Sequence, residues 1–324
     1  MKLNDDILSL VNKSEFVTTL LEQKAILIDN SSFVNWQGCF VKGIFGCALR
    51  REPKRGATPL LYGGAVHVGL ENQLMGDSWD VAIEKAVAFA NEGNLDSYDD
   101  DRRNTGTLTD MLLHYKIDYE MREDKFSPVS VGGLLMVEQS FRFPLGKVEI
   151  EFPDGNVYPV TIYWQGKIDL IEQDSFDNLW IVDHKTTSVM GKAFPDTFLR
   201  SSQMLGYTWA GRKLTESLGK EIKGVKINAL CSRSKGYEFV RFPLPMTSWA
   251  VDEWIDETLE ECAQIANTTL NYLEDGIAMC NRSTCVGKYG KCQFFDVCQN
   301  APKVRPHTLM DEDMFYTSDW SPLK

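Results

Sequence analysis

The sequence predicts an α/β core with a helical region packed onto it from the N-terminal side. Three observations carry this. Through most of residues 1–128 apolar residues recur with helical period. From Val129 the chain turns to β-branched and aromatic residues punctuated by Pro and Asp-Gly turns. After that it alternates helix, strands, helix, an order in which helices cover a sheet.

Taken in order, residues 4–26 read as an amphipathic helix. Asn30-Ser31-Ser32 would cap a helix from Phe33 to Leu49. A basic Pro/Gly loop, 50–59, follows. Tyr62-Gly-Gly-Ala-Val-His67 opens the next helix, with the Gly pair read as a turn. Residues 78–93 and 105–124 are helical, joined by an acidic loop, Asp96 to Asp101. Residues 131–143, 147–152, 158–172 and 179–185 read as strands of one antiparallel meander. Helix 196–218, strands 224–231 and 236–242, and a long helix 248–275 complete the core, and the tail from Ala301 reads as loosely structured. This divides the chain into a helical region at 1–128, a core at 129–276, a cysteine segment at 277–300 and a tail at 301–324.

A chain of 324 residues with 43% hydrophobic content and eight tryptophans is packed and globular. No apolar run reaches membrane-spanning length and Met1-Lys-Leu-Asn-Asp-Asp is no signal peptide, so a cytoplasmic protein without membrane contact is expected. The net charge of −12 counts against a broad nucleic-acid surface. Arg50, Arg51, Lys54 and Arg55, the Arg102–Arg103 pair, Arg233 with Lys235, and Lys288 with Lys291 leave room for a local groove, although solvated charge is the ordinary reading of any one cluster. Of eight cysteines, four crowd between Cys280 and Cys298, which in a cytosolic protein reads as metal or cluster ligation before disulfides.

Chemistry concentrates at two strand ends. Asp169 closes one apolar run and Asp183-His184-Lys185 another, and a polar turn at 174–178 folds the two together. In a strand, residues i and i+2 share a face, so Asp183 and Lys185 point one way and His184 the other. Two carboxylates, the His184 carbonyl and a lysine form a hard-cation site for Mg²⁺ or Mn²⁺ beside a phosphate. The apolar run before Asp183 argues for a buried strand rather than an exposed hairpin, whose ion pair would be worth little.

Four motifs then fall in order: Gly63 to His67 (G-x-x-x-H), Gly166 to Asp169 (G-x-x-D), Asp183 to Lys185 (D-x-K) and Gln203 to Tyr207 (Q-x-x-x-Y). Together they resemble the PD-(D/E)XK nucleases, in particular the RecB-like branch with the Cas4 and AddB types, over about residues 31–300. The resemblance implies a restriction-endonuclease-like core, a mixed central sheet flanked by helices. It implies metal ligation by His67, Asp169, Asp183 and the His184 carbonyl, a catalytic Lys185, and Gln203 and Tyr207 placing DNA or water. Glu138 is a weaker candidate on the preceding strand. It further implies a [4Fe–4S] cluster on Cys39, Cys285, Cys292 and Cys298, joining the two ends of the chain. Two departures stand against this. Six residues separate Cys285 and Cys292 where the family often has two, and Cys280 and Cys47 compete as ligands. The alternative is Zn²⁺ on Cys280, Cys285, Cys292 and Cys298. Cys231 and Cys262 read as buried apolar residues.

The expected activity is a metal-dependent DNA exonuclease acting on single strands or duplex ends in recombination, repair or phage DNA processing. The rivals are a non-cleaving DNA-binding or assembly subunit and a structure-specific endonuclease. The chain carries no G-x-x-x-x-G-K-[ST] motif, so unwinding would fall to a partner helicase or recombination protein.

Overall fold

The computed structural model describes residues 10–11, 14–54, 58–98, 100–233, 236–287, 290–319, 321 and 323. Arg55, Lys235 and Lys288, and residues 4–9, 12 and 13 of the expected first helix, lie outside the described residues.

In chain order the principal elements are α1 (Glu15–Gln23), β1 (Ala25–Ile28), α2 (Asn30–Gly38), α3 (Thr58–Leu74), α4 (Trp79–Glu92), α5 (Thr105–Met121), β2 (Val137–Glu151), β3 (Val157–Gln173), β4 (Leu179–Thr187), α6 (Ser202–Leu214), β5 (Ile222–Arg233), β6 (Gly236–Pro245), α7 (Ser248–Asp275) and α8 (Arg305–Met310). The result is an α/β protein with a mixed sheet flanked by helices. It forms two compact units that interleave along the sequence. One comprises residues 1–55, 142–166 and 253–324, the other 56–141 and 167–252.

In the second unit, β4 pairs antiparallel with the end of β3 (Leu170↔Val182), and β5 lies parallel to β4 (Asp183↔Ile227). A parallel neighbour needs a crossover, and α6 supplies it. β6 closes this part of the sheet as an antiparallel hairpin partner of β5. Helices α3, α4 and α5 bury Val66, Leu70, Ala86, Met111 and Leu112 in one core with Leu170, Val182 and Leu230 of the strands. Gly63 and Gly64 lie inside α3, not in a turn. Their absent side chains serve close approach: a Cβ on Gly63 would sit 3.3 Å from Thr186 Oγ1, and one on Gly64 would sit 3.2 Å from the Phe89 ring.

In the first unit, β1 runs parallel to the start of β3 (Ile28↔Trp164). The strands expected at 131–143 and 147–152 merge from Val137 into one strand, β2, while Ser130–Val131 and Leu134–Leu135 pair as a separate short hairpin. Among the described residues β2 pairs with β3 alone, and an edge strand tolerates Pro144. Gly146 there makes room for α7, since its Cβ would come within 2.8 Å of Leu259. The expected helix 33–49 is interrupted. Cys39 is extended (φ −170°, ψ 124°), after which Phe40–Gly43 forms one turn and Ile44–Ala48 winds as a π-helix. The tail is ordered as α8 and a short strand, Phe315–Thr317, that pairs with Arg51–Pro53. Phe315 also stacks on Phe294, with ring centroids 5.8 Å apart.

Candidate active site

The expected carboxylates, lysine and histidine all lie in the second unit. Asp169 and Asp183 stand near the ends of adjacent strands and are buried (8% and 1% exposed). Asp183 and Lys185 share a face, with Lys185 Nζ 2.7 Å from Asp183 Oδ2. Lys185 also donates to Gln203 Oε1 at 3.1 Å, and Gln203 Nε2 donates to Tyr207 OH at 3.2 Å. The i, i+4 spacing on α6 thus builds a short chain of contacts ending on the lysine.

His67 arrives from α3. Its Nδ1 lies 3.5 Å from Asp169 Oδ2 and 3.8 Å from Glu138 Oε1, and its Nε2 lies 3.0 Å from the His184 carbonyl oxygen. One donor atom from each of His67, Glu138 and Asp169 falls within 4.8 Å of the others. The weaker candidate Glu138 thus stands with His67 and Asp169. Lys167, which sequence reasoning passed over, reaches Glu138 Oε2 at 2.8 Å. Its signal was available: it lies two residues before Asp169, hence on the same strand face.

Charges are finely divided. Burial opposes protonation of His67, but the Asp169 and Glu138 carboxylates outweigh it and hold the imidazole well above its ordinary range. Burial likewise raises Asp169, yet the His67 charge and hydrogen bond bring it below the usual carboxylate range. Burial pushes Asp183 up to about 6, with Lys185 restraining the rise and Asp169 adding to it. Burial and the two aspartates hold the Tyr207 hydroxyl neutral, well above the usual phenol range.

These residues fit a hard divalent cation. Asp183 Oδ2 is buried with no aligned hydrogen-bond donor, although Lys185 Nζ is close. Carboxylate and carbonyl oxygens with one imidazole suit Mg²⁺ or Mn²⁺, and the nitrogen favours Mn²⁺.

All the cysteines but Cys231 lie in the first unit. Asn281 N–H donates to Cys39 Sγ at 3.3 Å, and the Asn281 and Thr284 side chains donate to the Gly38 carbonyl at 3.0 and 3.2 Å. Cys292 N–H donates to the Cys285 carbonyl at 2.8 Å, closing a small hairpin. Burial, then the neighbouring Cys39 and Cys285 thiols, push Cys280 up to about 12. Burial raises Cys298, which also senses Cys292, Cys39 and Cys285. Cys47 turns instead to the Ser32 carbonyl at 3.7 Å. All eight cysteines are free thiols, and Cys231 and Cys262 are fully buried.

A family model described as the PD-(D/E)XK nuclease superfamily matches residues 44–299. No curated protein matches the sequence. Among solved structures, a candidate exonuclease from Eubacterium rectale is 10% identical at a TM-score of 0.46, covering 92% of this chain and 93% of its own. The protein SSO0001 is 13% identical at a TM-score of 0.24, covering 61% of this chain and 74% of its own. Among the described residues, no helix is long and apolar enough to cross a membrane.

Proposed function

This chain belongs to the PD-(D/E)XK nuclease superfamily, and from that premise we propose that it is a divalent-metal-dependent DNA exonuclease. One observation carries the reading: His67, Glu138 and Asp169 converge beside a buried Asp183 that is paired to Lys185. A bound Mg²⁺ or Mn²⁺ would polarise a phosphoryl oxygen and lower the pKa of a water, making a nucleophile at neutral pH. Asp169, Asp183, His67 and the His184 carbonyl are the groups that would hold it, with Glu138 as a further ligand.

Lys185 supplies fixed positive charge where the phosphorane's negative charge develops, and its Nζ is within reach of a water at the same face. Gln203 keeps that ammonium in place and Tyr207 keeps Gln203 in place, so little reorganisation accompanies the reaction. The thiols of Cys39, Cys285, Cys292 and Cys298 are suited to a [4Fe–4S] cluster. Cys280, whose thiol neighbours those of Cys39 and Cys285, is the competing ligand, and Cys280, Cys285, Cys292 and Cys298 would instead suit Zn²⁺.

The test is cleavage of end-labelled single- and double-stranded DNA with Mg²⁺ or Mn²⁺, beside a covalently closed circle. Loss of labelled ends with an intact circle supports an exonuclease, and nicking of the circle points to the endonuclease. Lys185→Ala should cut about 10²–10³-fold more slowly. Equal rates for wild type and variant would remove the lysine from the chemistry.

A further inference from the structure

His184 sits between Asp183 and Lys185, but its ring turns from their face into the core, where it is 3% exposed. It lies edge-on to Phe126, with ring centroids 5.8 Å apart. Among the described residues its Nε2 has no hydrogen-bond partner, and its Nδ1 is 2.9 Å from Asn228 Nδ2. Asn228 faces His184 directly across the β4–β5 ladder and is 1% exposed. The same amide nitrogen donates to Tyr115 OH at 3.0 Å. An amide nitrogen only donates, so His184 Nδ1 is the acceptor and the ring proton resides on Nε2.

The peptide carrying this ring is a joint. Its N–H donates to Asp169 Oδ2 at 2.7 Å, and its carbonyl oxygen lies 3.0 Å from His67 Nε2. Rotation of the His184 backbone would therefore disturb a carboxylate and an imidazole together. The ring is the lever on that backbone, and among the described residues Asn228 is its hydrogen-bonding anchor.

We propose that Asn228 is a positioning residue for divalent-metal binding: by holding the His184 ring it fixes the peptide that orients both Asp169 and His67. This rests on the metal-dependent reading of the site. Residues that orient ligands from behind cost about 10–100-fold in metal affinity when removed.

The experiment titrates Mn²⁺ into the 324-residue chain, following free Mn²⁺ by electron paramagnetic resonance. Thermal midpoints and the ¹⁵N shift of His184 Nδ1 are recorded on the metal-free protein. Asn228→Leu, of similar volume, should bind Mn²⁺ about 10–100-fold more weakly. Its Nδ1 resonance should move toward that of an unbonded imidazole nitrogen, and its kcat should recover at saturating Mn²⁺. Tyr115→Phe, which leaves the donor to His184 in place, should bind Mn²⁺ as wild type does. Folded Asn228→Leu with wild-type Mn²⁺ affinity overturns the proposal, whatever its thermal midpoint. Should that variant not fold, His184→Phe removes the acceptor while keeping a ring, and wild-type affinity there overturns it equally. Wild type that binds no Mn²⁺ overturns the metal-dependent reading and this proposal with it. Tight wild-type binding matched by Asn228→Leu overturns the proposal alone.

Discussion

The two groups of metal-suited side chains are built in different ways. At the carboxylate site, Asp169, Asp183 and Lys185 come from paired strands, His67 and Gln203 come from helices, and hydrogen bonds fix nearly every donor. At the cysteine site, three of the four proposed ligands lie on a segment whose regular structure is one 3₁₀ turn, two two-residue strands and a short helix. The first geometry belongs to the fold. The second rests on short turns pinned by the buried Phe294 and Val297, and a bound metal or cluster would be what completes it.

This contrast can be broken at several points. The largest effect is expected for Asp169→Ala, which empties the acceptor of the His184 amide: cleavage should fall by about 10³-fold or more and calorimetric Mn²⁺ binding should vanish, with iron content unchanged. Cys292→Ser comes next. It should abolish the visible Fe–S absorbance of anaerobically purified protein and lower the thermal midpoint by roughly 5–10 °C. Colourless wild-type protein carrying zinc would sink the cluster reading. Chelation sharpens the same contrast. Removing Mg²⁺ or Mn²⁺ should leave limited proteolysis unchanged, whereas removing iron should open residues 277–300 to cleavage.

Gly43→Ala probes the packing behind Cys39. Its Cβ would fall 2.1 Å from the Trp36 ring, so unfolding free energy should drop by about 1–3 kcal/mol in urea titrations. Mn²⁺ affinity should rise with pH. Metal binding displaces the protons that Asp183 holds below about 6 and that the elevated His67 holds above its ordinary range. Calorimetry in buffers of different ionisation enthalpy should register proton release, and pH-independent affinity would contradict these charge states. The smallest effect is expected for Gln203→Ala, about tenfold in kcat, because Asp183 still holds Lys185.

Much of the carboxylate site was legible in the sequence because strand alternation is a rule of period two. Asp183, Lys185 and the inward His184 follow from it directly. Glu138 was less legible. Its place beside His67 depends on a backbone with φ +50° that no hydrophobic pattern announces. The strand β1 was hidden because Ala25 to Ile28 is only four residues and continues the apolar run of α1. The ordered tail was hidden for another reason: Phe315–Thr317 pairs with Arg51–Pro53, and a partner that far along the chain leaves no local trace. Gly63 and Gly64 were misread as a turn because glycine signals both turns and close packing, and only the neighbours tell which.

The left-handed Glu138 sets two kinds of selection against each other. A non-glycine residue at this φ costs roughly 1 kcal/mol or more, and asparagine tolerates the region better. A library screened for thermostability alone should therefore enrich Asn at position 138 and discard the carboxylate facing His67. A library screened for DNA cleavage should restore Glu there at the expense of melting temperature. Position 138 is thus where a history of selection for catalysis would be written most plainly in this chain's relatives.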